Sequence, residues 1–162
     1  MKRRKLLGLV VGVSLGIAAA VWQSRATLRN LLPRPLPKGE CTWYVAGRAA
    51  ESGWSIHFDT NTDRHARAWW EKITNARKSQ TPVVGAVMVL DAWLGNSYGH
   101  VGYVEKVNPD GSFEITHANF AKGKEVGQRE NVTIYRASCK LTADGVSLAD
   151  GPALPLRGFL IK

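Results

Sequence analysis

The sequence predicts an α+β domain in which helices come first and an antiparallel meander comes after them. Three observations carry this reading. Residues Cys41 to Ser52 are rich in helix-compatible types and are bounded by Pro35, Pro37 and Gly39 on one side and by Gly53 on the other. Beyond Pro82 the apolar spacing changes from a helical period to strand-like runs. Between two of those runs stands Asn108-Pro109-Asp110-Gly111, a turn that folds its flanking strands into a hairpin.

Taken in order, the chain opens on an appendage rather than on the domain. Residues 2 to 5 are Lys-Arg-Arg-Lys and residues 6 to 22 carry no charge, the pattern of a basic flank followed by an apolar segment. Residues 1–24 are therefore expected to be a signal peptide or an N-terminal membrane anchor. Ala18-Ala19-Ala20 offers a small-residue cleavage site, whereas Trp22 and Arg25 suit an interfacial anchor. Both alternatives export the rest of the chain, to the periplasmic side of the inner membrane or to the cell wall. Residues 25–38 form a basic, Pro-containing linker, and residues 39–162 form the domain.

Charge is distributed in the same way. The net charge of +9 suggests a polyanion partner until it is divided by position. Residues 1 to 38 hold eight Lys or Arg and no acid, while residues 39 to 162 hold 14 Lys or Arg against 13 Asp or Glu. A nearly neutral domain lacks the basic footprint that phosphate binding requires, which argues against nucleic acid as a partner.

Within the domain, the first helix runs from Cys41 to Ser52. A second is expected after a cap at Asn61, Thr62 or Asp63, because Ala66, Trp69, Trp70 and Ile73 make one apolar face. Val83 to Leu90 is an almost unbroken apolar run, as in a strand covered on both faces. A loop from Asp91 to Gly99 leads to a strand at His100–Val107, and Phe113 to Phe120 forms the other arm of the hairpin. Residues 121 to 130 read as a charged loop. Val132 to Arg136 and Gly158 to Ile161 add two short strands, with a Gly- and Pro-containing connection between them.

Chemistry concentrates at Cys41. At the start of a helix, unpaired backbone N–H groups and the positive end of the dipole favour thiolate over thiol and can hold an oxyanion. The hairpin sets His100 beside His117 and Asn119, and strand alternation puts the latter two on one face. A nucleophile, a base and a residue that orients the base can thus meet. Other readings of the same residues stay open. Cys41 and Cys139, 98 residues apart, could form a disulfide in an oxidising compartment. Cys41, His100 and His117 could ligate zinc, although no further Cys or His lies at short ligand spacing. His57 and His65 belong to no constellation. No cofactor is required.

The stretch Gly39-Glu40-Cys41-Thr42-Trp43-Tyr44-Val45-Ala46-Gly47-Arg48, with Pro82-Val83-Val84-Gly85-Ala86-Val87, Gly99-His100-Val101-Gly102-Tyr103-Val104-Glu105 and the hairpin at 108–113, resembles a CHAP domain (cysteine, histidine-dependent amidohydrolase/peptidase). The resemblance covers roughly residues 37 to 161. It implies a papain-like fold with the helices packed on an antiparallel sheet, and hydrolysis of peptidoglycan either at the muramoyl–L-alanine amide or at a peptide bond in or between stems. It also implies Cys41 as nucleophile and His100 as base. In the family's pattern a Glu, followed two residues later by Asn, commonly ends the third strand; here His117 stands in place of the Glu, as in the related NlpC-type peptidases, and the Asn is Asn119. Which of the two orients His100 is left open by the pattern, and an imidazole in the Glu position makes His117 the expected one. Trp43, Trp93 and Tyr98 can line a groove. Two readings from other classes are a wall-binding module stapled by Cys41 and Cys139, and a thiol protease or transferase that acts on protein.

Overall fold

The computed structural model describes residues 35–59 and 63–162. The expected export segment, most of the linker, and Asn61 and Thr62 lie outside the described residues. Helix α1 spans Cys41–Glu51, as its flanking Pro and Gly residues require. The second expected helix is much shorter. A 3-10 turn at Ala66–Ala68 runs into α2, Trp69–Lys72, and Ile73 is already extended and bridged to Phe58. Its apolar positions do serve the core: Ala66, Trp69 and Ile73 are buried while Trp70 is half-buried. Tertiary packing here uses the pattern without needing the helix it suggests.

The strands among the described residues are β1 Arg77–Ser79, β2 Val87–Leu90, β3 His100–Val107, β4 Phe113–Ala118, β5 Lys124–Arg129, β6 Val132–Thr142, β7 Gly145–Leu148, β8 Ala153–Leu154 and β9 Leu156–Ile161. They form one antiparallel sheet in the order β1-β9-β2-β3-β4-β6-β7-β8, with β5 also paired to β6. The domain is thus mainly antiparallel sheet with few helical residues. The helix-then-meander order holds, with more strand and less helix than the sequence suggests.

Three differences from the sequence reading have physical causes. Val83 and Val84 are exposed and precede a turn at Gly85, whose φ of +88° suits glycine, so the strand starts only at Val87. Residues 124–129 are a strand rather than a loop: β6 runs on to Thr142 and offers its outer edge to β5 along one half and to β7 along the other. Lys124 and Glu125 of β5 are exposed, as an edge strand tolerates, and Arg129 at its end is half-buried. Cys139, expected in a connection, is buried in β6 opposite Phe113.

Alternation along the strands builds two apolar clusters. Val87, Val89, Val101, Tyr103 and Ala118 face α1, meeting Cys41, Tyr44, Val45 and Ala49. Met88, Leu90, Val104, Phe113, Ile115, Cys139, Val146 and Phe159 occupy the other cluster. The rings of Phe113 on β4 and Phe159 on β9 lie 5.5 Å apart edge to face. Three strand spacings separate those strands, about 14 Å in a flat sheet, so the sheet curls around this cluster. Cys41 and Cys139 belong to different clusters, and both are free thiols in the structure.

A polar clamp fixes α1 on the sheet. Arg48 donates from Nε and Nη2 to the two Glu105 carboxylate oxygens at 2.9 and 2.8 Å, and Thr116 Oγ1 donates to the same carboxylate at 2.7 Å. Burial pushes the Glu105 carboxyl up, but these donors outweigh it and hold it below its ordinary value. The guanidinium also lies 4.7 Å from the Tyr103 ring centroid, and Tyr103 Oη donates to Ser52 Oγ at 2.6 Å. The clamp joins α1, β3 and β4, the elements that carry Cys41, His100 and His117. Glu105→Ala is expected to lower the unfolding free energy by about 2 kcal/mol, and Arg48→Ala in the Glu105→Ala background should cost little more; urea unfolding of the two single variants and the double variant measures this, and additive losses would count against a shared clamp.

Candidate active site

Cys41 is the first residue of α1, and Glu40 before it is extended, with φ −76° and ψ 154°. The backbone N–H groups of Val101, Thr42 and Cys41 itself face the sulfur. Because Val101 follows His100 directly, this contact brings the thiol beside the first residue of β3. That start is shaped by Gly99: its φ is +72°, and a Cβ there would collide with the Leu90 carbonyl and the Arg67 backbone and side chain. No hydrogen bond joins the sulfur to the His100 ring in the structure; such pairs often tighten only around a substrate.

Burial changes the expected state of the Cys41 thiol. Cys41 is 7% exposed. Desolvation pushes its thiol up to about 11, the Val101 N–H opposes this, and the Glu40 carboxylate adds to it. The helix start alone suggests a thiolate; the surroundings make the resting group a thiol.

The two histidines on adjacent strands do meet. His100 Nε2 lies 2.9 Å from His117 Nδ1, and His117 Nε2 lies 3.1 Å from the Lys122 carbonyl oxygen. A carbonyl can only accept, so His117 carries its proton on Nε2 and presents a bare Nδ1. His100 must then donate its own Nε2–H to that nitrogen. Its remaining nitrogen, Nδ1, is left with a free lone pair. Both rings are buried, and the Phe120 ring packs on His100 at 5.0 Å with Trp93 behind it at 5.7 Å. Burial holds His117 down to about 4, against the pull of the Lys122 carbonyl, and holds His100 well below its ordinary 6.5, with the neighbouring His117 adding to the effect. The pair is neutral at pH 7.

Asn119 is not in this line. It lies just past the end of β4 with φ +56°, a left-handed conformation that Asn tolerates, and its Nδ2 donates to Glu40 Oε2 at 2.9 Å. The shared face expected from strand alternation ends at Ala118 because the chain turns there. Asn119 also lines an open cleft of about 480 Å³ with Gly39, Phe120, Ala121, Val132, Thr133 and Tyr135. Of the aromatic residues expected to line a groove, Trp93 backs Phe120, Trp43 is half-buried with Arg129 over its ring at 5.6 Å, and Tyr98 is exposed and stacked on His65. Sequence reasoning misses the Lys122 carbonyl, since a backbone acceptor has no residue signature, and it sees the β6 wall of the cleft only as a short strand. Among the described residues, no group of three or more His, Cys, Asp or Glu could hold a metal ion.

The CHAP domain family model matches residues 33–119, more than half of the chain, and the protein belongs to that family. Among curated relatives, an N-acetylmuramoyl-L-alanine amidase domain-containing protein of Staphylococcus aureus is 40% identical over 88 residues, which are 52% of this chain and 14% of the relative. The N-acetylmuramoyl-L-alanine amidase sle1 of Staphylococcus epidermidis is 34% identical over 91 residues, 51% of this chain and 24% of that protein. The chain thus spans less than a third of either relative. The crystal structure of Ly7917 with the hydrolyzing product of MDP shares the fold, with a TM-score of 0.50 and 17% identity over 78% of this chain and 55% of that one.

Both histidines favour the unprotonated ring on folding, so their contribution to stability is complete above 6.5 and is lost as pH falls toward 4. Urea unfolding at steps between pH 7 and pH 4 is expected to show this decline. His117→Gln, which lacks one titrating ring, should flatten it; an unchanged slope would mean that His117 does not titrate in this window.

Proposed function

We propose that this chain is a peptidoglycan hydrolase that cleaves an amide bond, at the muramoyl–L-alanine junction or within stem peptides or cross-bridges, through a Cys41 acyl-enzyme. The observation that carries this reading is the hydrogen-bonded line from the Lys122 carbonyl through His117 to His100, together with a helix-start cysteine whose sulfur meets the backbone N–H of Val101, the residue after His100. The names of the amidase relatives support the substrate class. The same reading puts the domain outside the cytoplasmic membrane, delivered by residues 1–24, whether cleaved or retained as an anchor.

In this mechanism the bare Nδ1 of His100 takes the Cys41 proton as the sulfur attacks the scissile carbonyl. A thiol and a neutral imidazole start the reaction, so charge separates only as the C–S bond forms. The oxyanion is received by backbone N–H groups at the start of α1. His100 then returns the proton to the leaving nitrogen, and activates water to release the acyl group. His117 keeps the His100 proton on Nε2 throughout, and its neutral ring accepts that N–H as a carboxylate would, without adding a charge. The cleft beside Asn119 and Tyr135 receives one side of the substrate.

Cys41→Ala should abolish release of soluble products from purified sacculi with the circular dichroism spectrum unchanged; clearing at the parent rate would remove Cys41 from the mechanism. His117→Ala is expected to lower kcat by about two orders of magnitude or more, and Asn119→Ala by less. His117→Glu, which supplies an acceptor at the same position, should keep measurable activity. A larger loss of kcat in Asn119→Ala, in equally folded proteins, would transfer the orienting role to Asn119.

A further inference from the structure

Glu40 is the residue immediately ahead of the nucleophile, yet its carboxylate does not cap α1. It accepts instead from the Nδ2 of Asn119, 79 positions away. Asn119 lies two residues beyond His117, at the point where β4 ends in a left-handed turn. The bond therefore spans from the helix start that holds Cys41 to the strand end that holds His117, at the edge of the cleft that Gly39 and Asn119 both line. It is exposed, and an exposed bond of this kind contributes little to folding stability. Its effect is on position, where displacements of about 1 Å at a reacting group can cost two orders of magnitude in rate.

We propose that Glu40 and Asn119 form a positioning clasp that sets the thiol of Cys41 against the His100–His117 pair. Neither residue donates or accepts a proton in the reaction. The clasp holds the backbone of residues 40 and 41 at the register that α1 alone leaves loose, since the backbone bond just ahead of the helix, from the Glu40 N–H to the Pro37 carbonyl, is long at 3.3 Å. The amide is suited to its place for a second reason: Asn and Asp adopt the left-handed conformation at 119 with less strain than other side chains, so Asp can be exchanged for Asn there without disturbing the turn.

This exchange provides the test. The clasp rests on the mechanism proposed above, so its main readout is chosen to need no peptidoglycan: the rate at which iodoacetamide alkylates Cys41 at pH 7, which reads the thiol and its neighbouring base directly. Asn119→Asp sets two carboxylates face to face and should slow alkylation about tenfold. Glu40→Gln in the Asn119→Asp background restores the bond with donor and acceptor reversed, and should return the rate to within about twofold of the parent. Glu40→Ala in the Asn119→Asp background carries the same charge as that rescued pair but has no bond, and should remain slow. On sacculi the same ranking is expected in kcat, with the melting temperature nearly constant. Equal alkylation rates for the Gln and Ala double variants would reduce the effect to charge and overturn the clasp, as would an Asn119→Asp protein that reacts like the parent. If alkylation follows the expected ranking while no variant, nor the parent, releases wall fragments, the clasp stands and the proposed substrate falls.

Discussion

The hydrogen bond from His100 Nε2 to His117 Nδ1 is the contact on which the rest of the site depends. Its direction is decided outside the pair, by a Lys122 carbonyl that can only accept. That single backbone group sets the tautomer of His117, which sets the tautomer of His100, which leaves a lone pair on His100 Nδ1. A carboxylate in the place of His117 would impose the same tautomer on His100 and would also favour its protonated form. A neutral imidazole does the first without the second. This is consistent with a site in which His100 is held well below its ordinary value and Cys41 is held up at about 11.

The surroundings serve this neutral design. Phe120 packs against both rings with Trp93 behind it, and both histidines are buried, so water does not compete for the nitrogens. Such burial disfavours charge on either ring and makes unpaired polar groups costly, yet both nitrogens of His117 have partners. Position is supplied by the larger frame. The Arg48–Glu105–Thr116 clamp fixes the helix to β3 and β4, Gly99 allows β3 to begin at His100, and the Glu40–Asn119 contact reaches across the residues just ahead of Cys41.

Much of this is legible in the sequence. The first helix and the β3–β4 hairpin are readable because their ends are marked by Pro, Gly and an Asn-Pro-Asp-Gly turn, and the hairpin alone places His100 near His117. The second helix is overread from sequence, because an apolar spacing of three and four residues also fits a 3-10 turn continued by one helical turn and a bridge. Strand β5 is invisible there, since exposed edge residues such as Lys124, Glu125 and Gln128 carry no apolar alternation. Alternation also misplaces Asn119, because it does not extend past the end of the strand, where a positive φ redirects the side chain. The state of the thiol escapes the sequence for a similar reason: helix position is visible in the order of residues, whereas the burial that opposes it comes from distant segments.

Which ring nitrogens carry protons is the point on which the proposed mechanism turns, and nitrogen NMR of the histidines reads it directly. In protein labelled with 15N-histidine at pH 7, two-bond proton–nitrogen spectra should show both His100 and His117 as neutral rings protonated on Nε2, each with an Nδ1 shift typical of a bare, pyridine-like nitrogen, assigned through His100→Gln and His117→Gln. A His117 ring protonated on Nδ1, or a His100 ring protonated on both nitrogens, would contradict the account.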